Sequence, residues 1–354
     1  MNQETIQING SIFSKDNFEQ LKKNDEAPDS WENAIFLFLK NWFDDTDFVT
    51  THTSGSTGIP KEIRLAKTAM RNSARMTNTF FGLDEKKTAL LCLPASYIAG
   101  KMMLVRAITG GFNLITTAPK ANPFEQLKMP IDFTAITPYQ LHYSAETLKQ
   151  KAVQNIIVGG GQVNSTLETL VESIPAAMFE TYGMTETCSH IALRQFNGEN
   201  KSDVFSALNG VSIHLDDREC LVITAPHLLN EAIITNDIVE ITGKNAFRWL
   251  GRFDTTINSG GVKIHPEQVE KKLDGIIPSS FFIASQLDNI LGEKVILVIE
   301  SDDYSASRRA ELTASIENRL SKFEIPKAIY FAPEFVYSSA NKILRKETLQ
   351  KLNQ

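Results

Sequence analysis

The sequence predicts an α/β protein long enough for two domains. Three observations lead there. Apolar runs that read as strands alternate with amphipathic, helix-like segments from Thr68 to Ile174. From about Ala207 the texture turns to short β runs separated by charged turns, and residues 274–354 then alternate again. Strand–helix alternation implies a parallel sheet with crossover helices, and 354 residues suffice for two domains with a sizeable core.

Taken in order, residues 1–46 open with a strand-like stretch, Ile6 to Phe13. Trp31 to Trp42 then places Ile35, Phe36, Phe38, Leu39 and Trp42 on one helix face. This region reads as a lead-in that packs on the main domain and carries no chemistry. A helix is expected over Thr68–Phe81, with Met70, Ala74, Met76 and Phe80 facing inward, then a buried strand at Thr88–Leu93 ending at Pro94. Helix Ala99–Ile108, strand Phe112–Thr116, strand Phe133–Ile136, a helix from Pro138 to about Lys151 and strand Asn155–Val158 follow. Gly159-Gly160-Gly161 ends that strand, as either a tight turn or a site where a ligand approaches the carboxyl end of a parallel strand. Ser165 would cap the next helix, Ser165–Ile174, with Glu168 completing a capping box. Val211–Leu215 and Cys220–Thr224 flank a charged turn and read as a hairpin. Pro266 and Glu267 suit a helix start. Strands Ser280–Ile283, Val295–Glu300 and Ala328–Phe331 enclose a helix over Ser307–Leu320.

The chemistry concentrates in Thr53-Ser54-Gly55-Ser56-Thr57-Gly58-Ile59-Pro60-Lys61. Strand-like Asp47–His52 enters this loop and Lys61–Leu65 leaves it. Glycines allow sharp turns and close approach to an anion. Free N–H groups, hydroxyls and one ammonium can surround a polyphosphate. The spacing is not that of the Walker P-loop, which needs four residues between its glycines and Gly-Lys-Ser/Thr at its end. A Ser/Gly-rich linker is the bland alternative. Further on, Tyr182-Gly183-Met184-Thr185-Glu186 combines an aromatic ring, a glycine and a carboxylate within one short stretch. Such a set suits a nucleotide ring, a close backbone and a magnesium ion, which asks for only one or two carboxylates beside phosphate and water.

Composition narrows the classes. Hydrophobic content of 42% and charged content of 22% are ordinary for a globular protein. The net charge of −6 argues against bulk electrostatic binding of nucleic acid or membrane. Cys92, Cys188 and Cys220 are scattered, with no CxxC or Cys/His cluster, and read as reduced thiols of a cytoplasmic protein. Met1-Asn2-Gln3-Glu4 shows no signal peptide, and no apolar run reaches membrane-span length.

The glycine loop resembles the phosphate loop of the adenylate-forming superfamily, which comprises acyl-CoA synthetases, peptide-synthetase adenylation domains and luciferases. Tyr182–Glu186 resembles its Tyr-Gly-x-Thr-Glu element, and Asn236-Asp237 sits where that family places a ribose-binding aspartate. Gly251-Arg252-Phe253-Asp254, the turn Gly260-Gly261 and Pro266-Glu267-Gln268-Val269-Glu270 match further elements. Asn341-Lys342-Ile343-Leu344-Arg345 resembles Gly-Lys-x-x-Arg with asparagine for glycine, a residue that also tolerates positive φ.

The resemblance implies an N-terminal ATP- and acyl-binding domain over residues 1–250, made of a parallel sheet with crossover helices plus a β-rich segment. A small mobile α+β domain over residues 255–354 follows, with its hinge near Asp254. It also implies activation of a carboxylic acid by ATP and Mg2+ to an acyl adenylate, then transfer to coenzyme A. Thr53, Ser54, Gly55, Ser56, Thr57, Gly58 and Lys61 would hold the β- and γ-phosphates. Gly160, Gly161 and Gln162 would line the adenine pocket under Tyr182, beside Gly183. Asp237 and Arg252 would hold the ribose, Glu186 the magnesium beside Thr185, and Lys342 would bridge the substrate carboxylate and α-phosphate. Rotation about Asp254 would withdraw Lys342 and present Gly260, Gly261 and Lys263 for the thiol step.

Two departures from the family pattern stand out. Only 52 residues precede the glycine loop. The acyl pocket therefore either loses a wall or borrows one from a second subunit in a homo-oligomer. Within Pro94–Gly100, Tyr97 takes a position where many relatives carry histidine. Just past Gly100, Lys101 and Arg106 suit a substrate with a second carboxylate, or merely a solvated face. The segment Leu93–Ala107 with the short architecture resembles o-succinylbenzoate–CoA ligases of menaquinone synthesis. Another aryl- or acyl-CoA ligase, or a non-catalytic nucleotide-binding relative, is the rival reading.

Overall fold

A computed structural model describes residues 4–21, 30–52, 62–337 and 343–352. The chain begins with β1 (Thr5–Ile8) and β2 (Ser11–Ser14), then α1 (Trp31–Phe43), β3 (Phe48–His52), β4 (Glu62–Ala66) and α2 (Lys67–Phe81). Next come β5 (Thr88–Leu91), α3 (Ile98–Gly110), β6 (Asn113–Thr116), β7 (Ile131–Ile136), α4 (Pro138–Leu148), β8 (Val153–Val158), α5 (Ser165–Leu170) and β9 (Ala177–Gly183). The β-rich stretch holds β10 (His190–Gln195), β11 (Phe205–Ala207), β12 (Ser212–Leu215), β13 (Cys220–Thr224), β14 (Ile233–Gly243) and β15 (Ala246–Arg252). The last part contains β16 (Ile257–Ser259), β17 (Val262–Ile264), α6 (Pro266–Leu273), β18 (Phe281–Asp288), β19 (Gly292–Glu300), α7 (Ala306–Arg319), β20 (Ala328–Ala332) and α8 (Arg345–Leu352).

One 13-stranded sheet runs in the order β12-β13-β14-β15-β11-β10-β9-β8-β7-β5-β6-β1-β2. From β1 to β9 its neighbours are parallel. From β9 to β12 they are antiparallel. The expected parallel sheet and the expected β-rich segment are thus one continuous sheet, and the β texture begins at His190, before Ala207. The order reverses between β5 and β7, because β6 lies on one side of β5 and strands β7 to β15 lie on the other. In open α/β sheets a ligand crevice opens at the carboxyl ends of strands flanking such a switch point.

The lead-in is bound into this body. Glu4 takes a two-pronged bond from Arg71, at 2.7 and 2.9 Å, and a third from the Trp42 indole at 3.2 Å. Phe36, Phe38, Leu39 and Trp42 of α1 are buried in the same core as α2 and α3. Such side chains contribute roughly 1.5–3 kcal/mol each on burial. The stretch Ile6 to Phe13 is a hairpin and not one strand. Asn9 and Gly10 turn it at φ 50° and 84°, the paired positive values that a two-residue turn demands.

Other expectations are corrected. Helix α2 buries Met70 and Ala74 as expected, but Phe80 is exposed, while Ser73, Thr77 and Asn78 lie inside. Phe80 sits off the face that Met70, Ser73, Ala74 and Thr77 share at helical spacing, while Met76 is half-buried against the core as expected. Helix α5 ends at Leu170, well before Ile174, and Asn164 caps it by accepting from the Leu167 N–H at 2.9 Å. Ser165 instead donates to Asp274 and Glu168 pairs with Arg194, because partners distant in sequence outcompete the local box.

A second sheet orders as β17-β16-β19-β18, with β20 parallel to β19, and has its own core around Val269, Leu297 and Ile316. Strands β3 and β4 form a separate antiparallel pair that flanks residues 53–61. The glycine loop itself, Thr53 to Lys61, and Lys342 lie outside the described residues. Among the described residues no helix is long and apolar enough to cross a membrane.

Candidate active site

A cavity of about 840 Å³ opens at the carboxyl ends of β5, β7, β8 and β9, at the switch point. Its floor is the glycine turn after β8. Gly160 has φ +82° there, and a Cβ on Gly159 would stand 2.5 Å from the Thr181 hydroxyl. Gly160, Gly161 and Gln162 line the cavity together with Tyr182, Gly183, Thr185 and Glu186. Gly183 ends β9 against a register shift in β10, and its missing Cβ would lie 2.4 Å from the Ser189 carbonyl oxygen.

At one end, β14 and β15 place Asp237 opposite Arg252. Asp237 accepts from the Tyr182 hydroxyl at 2.7 Å and from the Trp249 indole N–H at 3.2 Å, with an Arg252 nitrogen 4.0 Å away. Burial, then the neighbouring carboxylate, push the Tyr182 phenol up, so it stays a neutral donor. Arg252 forks onto Asp254 at 2.9 and 3.1 Å. Carboxylate, guanidinium and aromatic ring therefore meet where hydroxyl donors and a flat heterocycle could be held.

At the other end, α3 sends Arg106 into the wall. It is 1% exposed and has no carboxylate partner among the described residues. It donates to Ser189 Oγ at 2.7 Å and to the Met103 sulfur at 3.6 Å, while its Nε is buried without a partner. Burial pulls its pKa down to about 9, which leaves it charged at neutral pH. A buried cation facing a cavity with donors to spare has the chemistry to receive an anion. Beside it the turn at Cys188, with φ +63°, aims Ser189 and His190 inward. Sequence reading passed over this pair, although it lies only three residues beyond Glu186. Trp249, two residues before Gly251, was missed too, since only strand pairing brings it to Asp237.

Residues 4–222 match the family of AMP-binding enzymes. A solved acyl-CoA synthetase (AMP-forming)/AMP-acid ligase II-like protein from Dyadobacter fermentans is 35% identical, with TM-score 0.62 over 96% of this chain and 99% of that one. The chain belongs to the AMP-binding enzymes. Such enzymes are adenylate-forming, which agrees with the resemblance carried by the glycine loop and by Tyr182–Glu186. The 2-succinylbenzoate–CoA ligase of Staphylococcus epidermidis is 25% identical over 326 residues, covering 83% of this chain and 68% of the relative. That of Escherichia coli is 25% identical over 321 residues, covering 85% and 69%. The fold is shared with O-succinylbenzoate coenzyme A synthetase from Bacillus subtilis, solved in complex with ATP and magnesium ion, at 20% identity and TM-score 0.71 over 85% of this chain and 69% of that one.

Not every residue singled out in this AMP-binding enzyme reaches the cavity. Tyr97 is 56% exposed outside it. Lys101 does not line it either and instead donates to the Thr50 carbonyl at 3.0 Å, in the middle of the strand that leads to residues 53–61. Gly260 and Gly261 turn β16 into β17 at φ 60° and 82°, away from the cavity, and Lys263 stands 3.5 Å from Glu219. Gly100 serves packing: a Cβ there would meet the Pro94 carbonyl at 2.3 Å. Gly100→Ala must push α3 off that turn and should destabilise by about 1–3 kcal/mol. A melting temperature equal to the wild type would refute this close-packing role.

Proposed function

We propose that this enzyme activates an aromatic dicarboxylate of the o-succinylbenzoate type with ATP and transfers it to coenzyme A, a step of menaquinone synthesis. The observation that carries the reading is the Arg106 guanidinium at the cavity wall, which has no carboxylate partner among the described residues. An acid with one carboxylate to activate and a second to dock on Arg106 meets its chemistry, and the named relatives point the same way. The three cysteines are buried and unbridged, as in a reducing cytoplasm.

In the first step a carboxylate oxygen attacks the α-phosphorus, and the bond to pyrophosphate breaks. Attack of one anion on another is a problem of position and charge. Residues 53–61 hold the terminal phosphates, and Asp237 with Arg252 takes the ribose. Tyr182 borders the adenine over Gly160, Gly161 and Gln162. Glu186, exposed at the rim, would hold a magnesium ion, which would neutralise phosphate charge. Among the described residues no group of three His, Cys, Asp or Glu gathers; a magnesium ion held largely by phosphate oxygens and water needs no such group. Lys342 bridges the two reacting groups. In the second step the thiol attacks the acyl carbon and AMP leaves.

Residues 1–250 and 255–354 act as two domains hinged at Asp254, between the last strand of the large sheet and the first of the small one. In the orientation described, Asp274 of the small unit accepts from the Ser165 hydroxyl at 2.6 Å, the Thr166 hydroxyl at 3.0 Å and the Thr166 N–H at 3.2 Å. Rotation has to break this clasp, and new contacts of the small domain offset the loss.

The test is pyrophosphate release from ATP and magnesium with o-succinylbenzoate, benzoate and octanoate, each with and without coenzyme A. Turnover with o-succinylbenzoate alone is expected. Turnover with another acid would keep the ligase and remove the pathway, and silence with all three would favour a non-catalytic nucleotide-binding protein.

A further inference from the structure

Resting on that reading, we propose that His190 is a positioning residue that sets the enzyme's preference for acids bearing a second anionic group, by fixing Ser189 and through it the Arg106 guanidinium. The argument starts from hydroxyl protons. The Thr77 hydroxyl donates to the Ser73 carbonyl at 3.3 Å, which uses its only proton. With the proton assigned there, His190 Nε2, 3.2 Å from the same oxygen, is the donor of that pair. Its Nδ1 is therefore bare and accepts from Ser189 Oγ at 3.3 Å. Ser189, with its proton so directed, turns its lone pairs to Arg106 and accepts from it at 2.7 Å. The chain runs in one direction, from guanidinium to serine, imidazole, threonine and helix carbonyl.

Three features make this an aiming device and not ordinary core filling. His190 lines the cavity while 5% exposed. The left-handed Cys188 and the register shift at His190 re-aim the start of β10 inward. Thr77, one of the polar residues that α2 buries, ends the chain on the Ser73 backbone carbonyl. The imidazole stays neutral, since burial first and the Arg106 charge second hold it well below its usual range. It therefore orients Arg106 without adding a second charge beside it, and without a carboxylate that would occupy the guanidinium in place of substrate.

The experiment compares kcat/KM for o-succinylbenzoate and benzoate in wild type, His190→Phe, His190→Gln and Ser189→Ala. The ratio of the two constants should fall about 10–100-fold in His190→Phe and Ser189→Ala, through KM for the dicarboxylate. His190→Gln, which keeps one donor and one acceptor, should recover most of it. A loss shared equally by both acids would mean a merely structural role and overturn the inference, while the ligase reading would stand. A wild type that prefers a different dicarboxylate, with the same dependence on residue 190, would remove o-succinylbenzoate and support the inference. If no acid turns over, imidazole 15N shifts at pH 7 still decide it. A proton on Nε2 alone supports the relay, and a proton on Nδ1 overturns it.

Discussion

Lys342→Ala is expected to cripple adenylate formation by about 10²–10³-fold, the usual cost of removing one aimed charge from a developing oxyanion. Thioester formation from supplied acyl adenylate should survive largely intact. The two half-reactions differ in what they need. Joining a carboxylate to a triphosphate requires a cation between two like charges, whereas thiol attack on an already activated acyl group does not. Pyrophosphate release and single-turnover transfer from synthetic acyl adenylate to coenzyme A read the two separately. Equal loss in both would remove Lys342 from the role proposed for it.

Arg106→Met should have two effects of opposite sign. The guanidinium is buried with no ion partner among the described residues, and burial, which opposes the charge, draws its pKa down to about 9. At neutral pH the folded protein carries that charge at a cost. An apolar chain of similar length relieves it; replacing even buried ion pairs by well-packed apolar residues is often neutral or stabilising by about 1–4 kcal/mol. The melting temperature should hold or rise by a few degrees. Preference for a dicarboxylate over benzoate should meanwhile fall about 10–100-fold, since a bond from a charged donor to the second carboxylate is lost. A lower melting temperature with unchanged preference would make Arg106 a structural tie to Ser189 and end its role as an anion receptor.

These two residues mark the limits of sequence reading from opposite sides. Lys342 is legible only as sequence, through its spacing from Arg345. Arg106 was legible as a cation past Gly100, but paired with Lys101 as if both faced one pocket. On α3 they are five positions apart, and the helix sends Lys101 to Thr50 and Arg106 to Ser189. The inward face of α2 misled the eye for a related reason. Thr77 and Asn78 are inside because His190 and the Arg106 carbonyl need them there, so apolar spacing pointed at Phe80 instead. The cap of α5 failed likewise, because Asp274, far along the chain, claimed Ser165.

What the sequence by itself determined is everything set by local order. It holds the alternation that builds a parallel sheet, the Asp237 and Arg252 elements, the Gly260-Gly261 turn, and the short strings that mark an AMP-binding enzyme. Each depends on neighbours within a few residues, where backbone geometry and side-chain period act. Tertiary structure alone decided that parallel and antiparallel halves form one sheet, that Trp249 reaches Asp237, and that Arg106, Ser189, His190 and Thr77 form a chain. Those contacts join residues up to 113 positions apart. A buried hydrogen bond takes its partner from whatever folding brings within about 3 Å, and no spacing along the chain records that.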